Sequence, residues 1–149
     1  MNKLFFCSII MSALICVQGC KREKQYTIGL PIENCSMVSY DNHNLTDNGV
    51  NIYCPSGSVV VAAMDGVVIT LNKDSIDWIV ETICPPNNLI SYYSYVSHPI
   101  VHIGDTISMY DTIGVSSYVT KFLHYSLYYY SKGDTIFLNP LPKFNECFE

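Results

Sequence analysis

Charge is scarce in this 149-residue chain: Asp, Glu, Lys and Arg together make up 14% of it, against 49% hydrophobic residues. Disorder needs the opposite balance, so a folded chain is expected. Basic residues are the scarcest class, eight Lys and Arg against thirteen Asp and Glu for a net charge of −5, and they cluster only over Lys21–Lys24. A nucleic-acid-binding protein carries a basic stripe, so that class of partner is excluded. No Cys-x-x-Cys occurs among the seven cysteines, which removes support for a zinc knuckle or a thioredoxin-like pair. Apolar residues do not recur with a 3.6-residue period after residue 25, so helices have little support there. The longest uncharged apolar run, Leu4 to Val17, has fourteen residues and falls short of the ~20 that a spanning helix needs.

That run, preceded by Lys3, has the form of a signal-peptide core. It ends in Val17-Gln18-Gly19-Cys20, which resembles the lipobox of bacterial lipoproteins, where the cysteine is lipidated and becomes the mature N-terminus. Lys21-Arg22-Glu23-Lys24-Gln25 supplies a polar tether. The competing reading is an ordinary signal peptide with Cys20 as a disulfide partner. The expected organisation is a signal at residues 1–19, the lipidated Cys20 and tether at 20–25, and one domain at 26–149. Such a protein is lipid-anchored in a bacterial cell envelope and faces the periplasm. Lys21 after the cysteine, in place of an inner-membrane retention aspartate, leans toward the outer membrane. Cys35, Cys54, Cys84 and Cys147 remain for up to two disulfides, with three connectivities open.

From Tyr26 onward the pattern is one of strands. Val59 to Ala63 and Val67 to Leu71, with Asp65-Gly66 between them, read as a hairpin of β-branched arms. Further strands are expected over Asp77 to Ile83, stopped by Pro85-Pro86, and over Leu89 to Val96. Turns at Gly104-Asp105 and Tyr110-Asp111 punctuate His102 to Gly114. Phe122 to Tyr130 and Thr135 to Leu138 close the series around Lys132-Gly133-Asp134. Short strands at roughly 8–12-residue spacing indicate an all-β, mostly antiparallel sandwich or barrel. Tyr92, Tyr93, Tyr95, Tyr125, Tyr128, Tyr129 and Tyr130 lie in those strands, where aromatics favour sheet packing. An aromatic ligand-binding surface is the other use of such rings.

Four blocks in order resemble the lysostaphin/LytM-type peptidoglycan metalloendopeptidases. The first is Gly49-Val50-Asn51-Ile52-Tyr53-Cys54-Pro55-Ser56-Gly57, continuing through Val61-Ala62 to Gly66-Val67-Val68; its family pattern is His-x-Gly-(Ile/Val)-Asp-Ile-x-x-Pro-x-Gly. Val101 to Ile107 resembles the Val-x-x-Gly-Asp-x-Val hairpin. Phe122-Leu123-His124-Tyr125 is similar to the His-Leu-His-Phe strand, and Asn139-Pro140 to the closing (Asp/Asn)-Pro. The resemblance spans about Asp47 to Pro142. It implies a two-layer β fold with a groove, and a zinc ion held by His, Asp and the second His of His-x-His. Three such ligands leave a fourth position for a water that zinc acidifies. Two further histidines would orient that water for cleavage of a cell-wall peptide bond.

Carried over position by position, the resemblance puts Asp47 at the first His ligand and Asn51 at the Asp ligand. Phe122 takes the first His of His-x-His, and Tyr95 takes the strand His. Only His124 keeps the family's imidazole. The Gly-rich loop that precedes His-x-His in the family is also shortened, since Ser116 to Lys121 contains no Gly. Asp, Asn and one His suit a hard cation better than zinc. Phe122 has no proton-transfer atom, and Tyr95 offers at most a hydrogen bond. Asp47, Asn51 and His124 thus read as a vestigial metal site, and Tyr95 and Phe122 as degenerate catalytic positions, with no cofactor expected.

The alternative is an active zinc endopeptidase with a rearranged site, His43, Asp47 and His124, since His43-x-x-x-Asp47 has the ligand spacing; it requires a four-residue insertion before Ile52. His98 and His102 are expected beside a turn, because Pro99 prevents a shared helical face. A third reading is a carrier-type hybrid-motif domain, which the Gly104-Asp105 hairpin also resembles but which lacks a lysine at the tip. The leading expectation is a pseudoenzyme that binds peptidoglycan or regulates a cell-wall hydrolase.

Overall fold

The computed structural model describes residues 26–41 and 49–145. The expected lipidation site Cys20, the candidate ligands His43 and Asp47, and Cys147 lie outside them. Ten strands account for most of the rest: β1 (Met37–Asp41), β2 (Gly49–Tyr53), β3 (Val59–Val61), β4 (Gly66–Lys73), β5 (Trp78–Cys84), β6 (Leu89–Ser97), β7 (Thr106–Ile107), β8 (Thr112–Ser116), β9 (Phe122–Ser131) and β10 (Asp134–Leu138). Among the described residues a single short helix, α1 (Leu141–Asn145), follows. The expected all-β, mostly antiparallel class is the observed one, with every strand pairing antiparallel.

The sheet runs β1-β2-β9-β6-β5-β4-β7. Strand β9 is its spine. Along one edge its first half pairs with β2, Tyr53↔Phe122 to Gly49↔Ser126, and its second half with β10, Leu138↔Leu127 to Asp134↔Ser131. The other edge pairs with β6, from Ser94↔His124 to Ile90↔Tyr128. Local chemistry fixes these registers. Lys132 and Gly133 take φ of 52° and 91°, the two positive values that a two-residue type I′ hairpin requires between β9 and β10. Asn88, at φ 53°, closes the Pro85-Pro86 turn between β5 and β6, and its N–H donates to the Cys84 carbonyl at 2.8 Å.

Side-chain alternation divides the sheet into two faces. Val50 and Ile52 of β2, Leu123, Tyr125 and Leu127 of β9, and Tyr93 of β6 point into one core and are fully buried. Ile28, Ile32, Val60, Ala62, Ala63 and Met64 belong to the same core. Phe144 of α1 closes one end by packing on Tyr125, ring centroids 5.4 Å apart.

Two expectations fail. Val59–Ala63 and Val67–Leu71 do not form a hairpin: β3 pairs with β8, and β4 with β5 and β7. The stretch that leads from β3 toward β4 is core rather than hairpin arm and turn, since Ala62, Ala63 and Met64 are buried. Ala63 donates its N–H to the Tyr93 hydroxyl at 2.9 Å, and Ala62 donates to the Asp111 carbonyl, so partners far along the chain hold this stretch. A pair of disulfides is not formed either, because Cys54 and Cys84 carry free thiols. Cys54 follows β2 and Cys84 ends β5, three strand spacings apart in the sheet. The lateral offset alone is about 14 Å, well beyond the reach of a disulfide, and the two also lie at opposite ends along the strand direction.

The buried tyrosines give the fold an alkaline liability. Burial raises the Tyr93 and Tyr125 phenols above their ordinary value of 10.0, although Ser91 hydrogen-bonds to the Tyr125 hydroxyl at 2.9 Å. Above pH 10 the unfolded chain releases these protons before the folded one does, so stability falls as pH rises. Urea titrations from pH 9 to 11.5 should show that fall, and Tyr125→Phe should flatten it whatever its cost at pH 7. An unchanged alkaline slope in Tyr125→Phe would contradict this account.

Candidate functional site

The face of the sheet opposite the core carries every described residue that the sequence placed in a site. On β9 it presents Phe122, His124, Ser126, Tyr128 and Tyr130 in alternation. Asn51 lies directly across from His124 in the β2–β9 register, and Tyr53 lies across from Phe122. On the other side Ser94 and Tyr92 of β6 face His124 and Ser126. The structure therefore brings Asn51, His124, Phe122 and Tyr95 onto one patch of one face.

His124 is buried at 5% exposure and tied at both ring nitrogens. Its Nδ1 lies 2.7 Å from Asn51 Oδ1, a carbonyl oxygen that can only accept, so Nδ1 carries the proton. Its Nε2 lies 3.2 Å from Ser126 Oγ. The Tyr92 ring stands edge-on to the imidazole, centroids 6.4 Å apart. A glycine makes this arrangement fit. A Cβ at Gly49 would lie 2.6 Å from His124 Nε2 and from the Tyr125 carbonyl oxygen, and closer still to Ser126 Oγ.

The neighbouring positions are aromatic. Tyr95 sits on a bulge of β6 with φ of 65°, where the β5–β6 register shifts between Trp78 and Val80. That conformation is unusual for a bulky side chain. It sets the Tyr95 ring edge-on to Phe122, with centroids 5.3 Å apart, and Tyr53 packs on the far side of Phe122 at 5.7 Å. Two of these rings, Phe122 and Tyr95, stand at the positions where the family resemblance expects imidazoles for proton transfer, and Tyr53 packs beside them. His98 and His102 lie elsewhere: His98 packs edge-on to Tyr118, and His102 is exposed beside the Asp105 turn.

Asn51 and His124 do not fit zinc. Two ligands at about 2.1 Å in tetrahedral geometry stand about 3.4 Å apart, whereas these two atoms share a proton at 2.7 Å. The Asn51 amide brings no charge to offset the ion's. Among the described residues no three His, Cys, Asp or Glu side chains are grouped to hold a metal.

Strand parity also exposes residues that the sequence reading passed over. Glu81 of β5, Thr135 and Phe137 of β10, and Ser126 share a cleft on this face with Tyr92, Tyr128 and Tyr130. Tyr128 donates its hydroxyl to Glu81 Oε1 at 2.6 Å. The available signal was Glu81 itself, a carboxylate inside an apolar strand run.

Removing the glycine tests the packing around His124. Gly49→Ala should destabilise the fold by about 1–3 kcal/mol, read by chemical denaturation, because the methyl collides with backbone as well as side chains. It should also perturb the His124 ring resonances; a stability and spectrum equal to wild type would show that the space is not tight.

Residues 46–137 match Peptidase family M23. Several solved structures share the fold. Csd3 of Helicobacter pylori is 21% identical at a TM-score of 0.62, over 80% of this chain and 33% of that one. Lysostaphin, the antimicrobial peptidase from Staphylococcus simulans, is 19% identical at 0.59, over 81% and 50%. The SpoIIQ–SpoIIIAH pore-forming complex supplies a match 20% identical at 0.61, over 79% of this chain and 90% of that one. The chain thus spans a third of Csd3 and half of lysostaphin. No curated protein matches significantly.

Proposed function

The chain belongs to peptidase family M23, and from that premise we propose that its domain binds peptidoglycan without cutting it. The observation that carries this reading is the Asn51–His124 hydrogen bond beside the Tyr53–Phe122–Tyr95 ring stack. A cutting site of this family needs a charged ligand and a proton carrier where these residues stand. An amide is no substitute for a carboxylate against a divalent cation, and Phe122 has no atom to accept a proton. What persists is a face of hydroxyls and rings on a rigid sheet, suited to holding a polymer strand.

The anchoring in this proposal comes from the sequence. Residues 1–19 are a signal, Cys20 carries the lipid, residues 20–25 are the tether, and the domain from residue 26 works at the periplasmic side of the envelope, on the outer membrane. A second reading is that the face holds a protein, such as a cell-wall hydrolase that it regulates. Its support is the likeness to a chain of the SpoIIQ–SpoIIIAH complex, a fold match covering 90% of that chain.

The deciding experiment combines metal analysis of the purified protein, digestion of purified sacculi and co-sedimentation with them. Binding proposals predict no cleavage products, no stoichiometric zinc, and co-sedimentation that weakens when the face is altered by Tyr92→Ala. Zinc at one equivalent with released peptides would overturn the reading in favour of a site built from His43, Asp47 and His124. Absence of sedimentation together with capture of a hydrolase would favour the second reading.

A further inference from the structure

Beyond His124 the same face of β9 continues through Ser126, Tyr128 and Tyr130, and there it sinks into a cleft of about 390 Å³. The walls are aromatic: Tyr92 from β6, Tyr128 and Tyr130 from β9, and Phe137 from β10. Tyr128 stands edge-on to Tyr130, centroids 5.7 Å apart, and tilted against Phe137 at 5.5 Å, so the rings brace one another. One carboxylate, Glu81, stands among them. The Tyr128 hydroxyl holds it at 2.6 Å, and no Lys or Arg of the described residues pairs with it. Burial, and then the Glu81 carboxylate, push the Tyr128 phenol far above its ordinary range, so it stays a donor.

Such a lining selects the sign of its ligand. Aromatic faces carry negative potential and attract cations, a carboxylate does the same, and both would repel an anion. The remaining polar groups refine the choice. Ser126 and Thr135 add hydroxyl oxygens to the cleft, and these can accept hydrogen bonds from a cation that bears N–H groups. A quaternary ammonium has none to give, whereas a primary ammonium has three.

We propose that this cleft is a binding site for a primary alkylammonium group, the ammonium meeting Glu81 and the alkyl stem lying against the rings. Its natural source, on the reading that the domain binds the cell wall, is the side-chain amine of a diamino acid in a wall peptide; that identification rests on the wall reading, while the cleft's chemistry does not. The cation is held by charge-assisted hydrogen bonds and ring faces together.

The test titrates the protein with Nα-acetyl-lysine amide, with its Nε-acetylated counterpart and with tetramethylammonium, followed by NMR of the tyrosine ring signals. The free amine should bind and shift the Tyr128 and Tyr130 resonances, the acetylated probe should not, and tetramethylammonium should bind at least several-fold more weakly. Glu81→Gln should weaken the free amine about tenfold. Tyr130→Ala, at a ring 64% exposed whose loss leaves the core intact, should also weaken it. Equal binding of the acetylated probe, an unaffected Glu81→Gln, tetramethylammonium as strong as the amine, or no binding of the amine to folded protein would each overturn the proposal. Sacculus co-sedimentation, run in parallel, separates the two claims. Amine binding without co-sedimentation supports the cleft and sinks the wall reading; co-sedimentation without amine binding does the reverse.

Discussion

The pairing of Asn51 with His124 across β2 and β9 is the constraint around which this face is arranged. The β2–β9 register sets the two residues directly opposite, and Gly49 leaves space that a Cβ would take from the imidazole. The 2.7 Å hydrogen bond then satisfies a buried nitrogen and a buried amide together. Leaving either unsatisfied would cost about 1–3 kcal/mol, so the direct bond is a stable end state that needs no ion. Ser126 completes the ring's second nitrogen.

Strand parity arranges the β9 residues beside this pair, while the β6 bulge brings Tyr95 to them. The residues one step away, Leu123 and Tyr125, are core, and Phe122 and Ser126, two steps away in either direction, are on the open face. Toward the start of β9 the open face is sealed by Phe122 between Tyr53 and Tyr95. Toward its end the face opens into the cleft containing Glu81. The same aromatic-rich strand therefore does two jobs. It packs Phe122 between Tyr53 and Tyr95 near its start, and it lines the cleft with Tyr128 and Tyr130 farther along.

The all-β class and most strand positions were legible because β-branched and aromatic runs end at Gly, Pro and Asn turns whose φ values the backbone bears out, as at Lys132-Gly133 and Asn88. Asn51 and His124, 73 residues apart and both assigned to ligand positions by the resemblance, stand opposite each other across β2 and β9. The Asp65-Gly66 hairpin was misread because local turn chemistry cannot tell that Ala62 and Ala63 are held by partners far along the chain, the Tyr93 hydroxyl and the Asp111 carbonyl. The tyrosines could not be sorted by sequence into one role, since neighbours such as Tyr92 and Tyr93 face opposite sides. Glu81 escaped notice because its meaning depends on β5 lying beside β6 and on Tyr128 reaching across from β9.

The most direct measurement of the central claim is the 15N spectrum of the His124 ring in the whole protein, recorded with and without one equivalent of zinc. A closed Asn51–His124 pair predicts a proton on Nδ1 in both spectra and ring signals that zinc leaves in place. Loss of the Nδ1 proton with a metal-induced shift of the His124 nitrogens would contradict it.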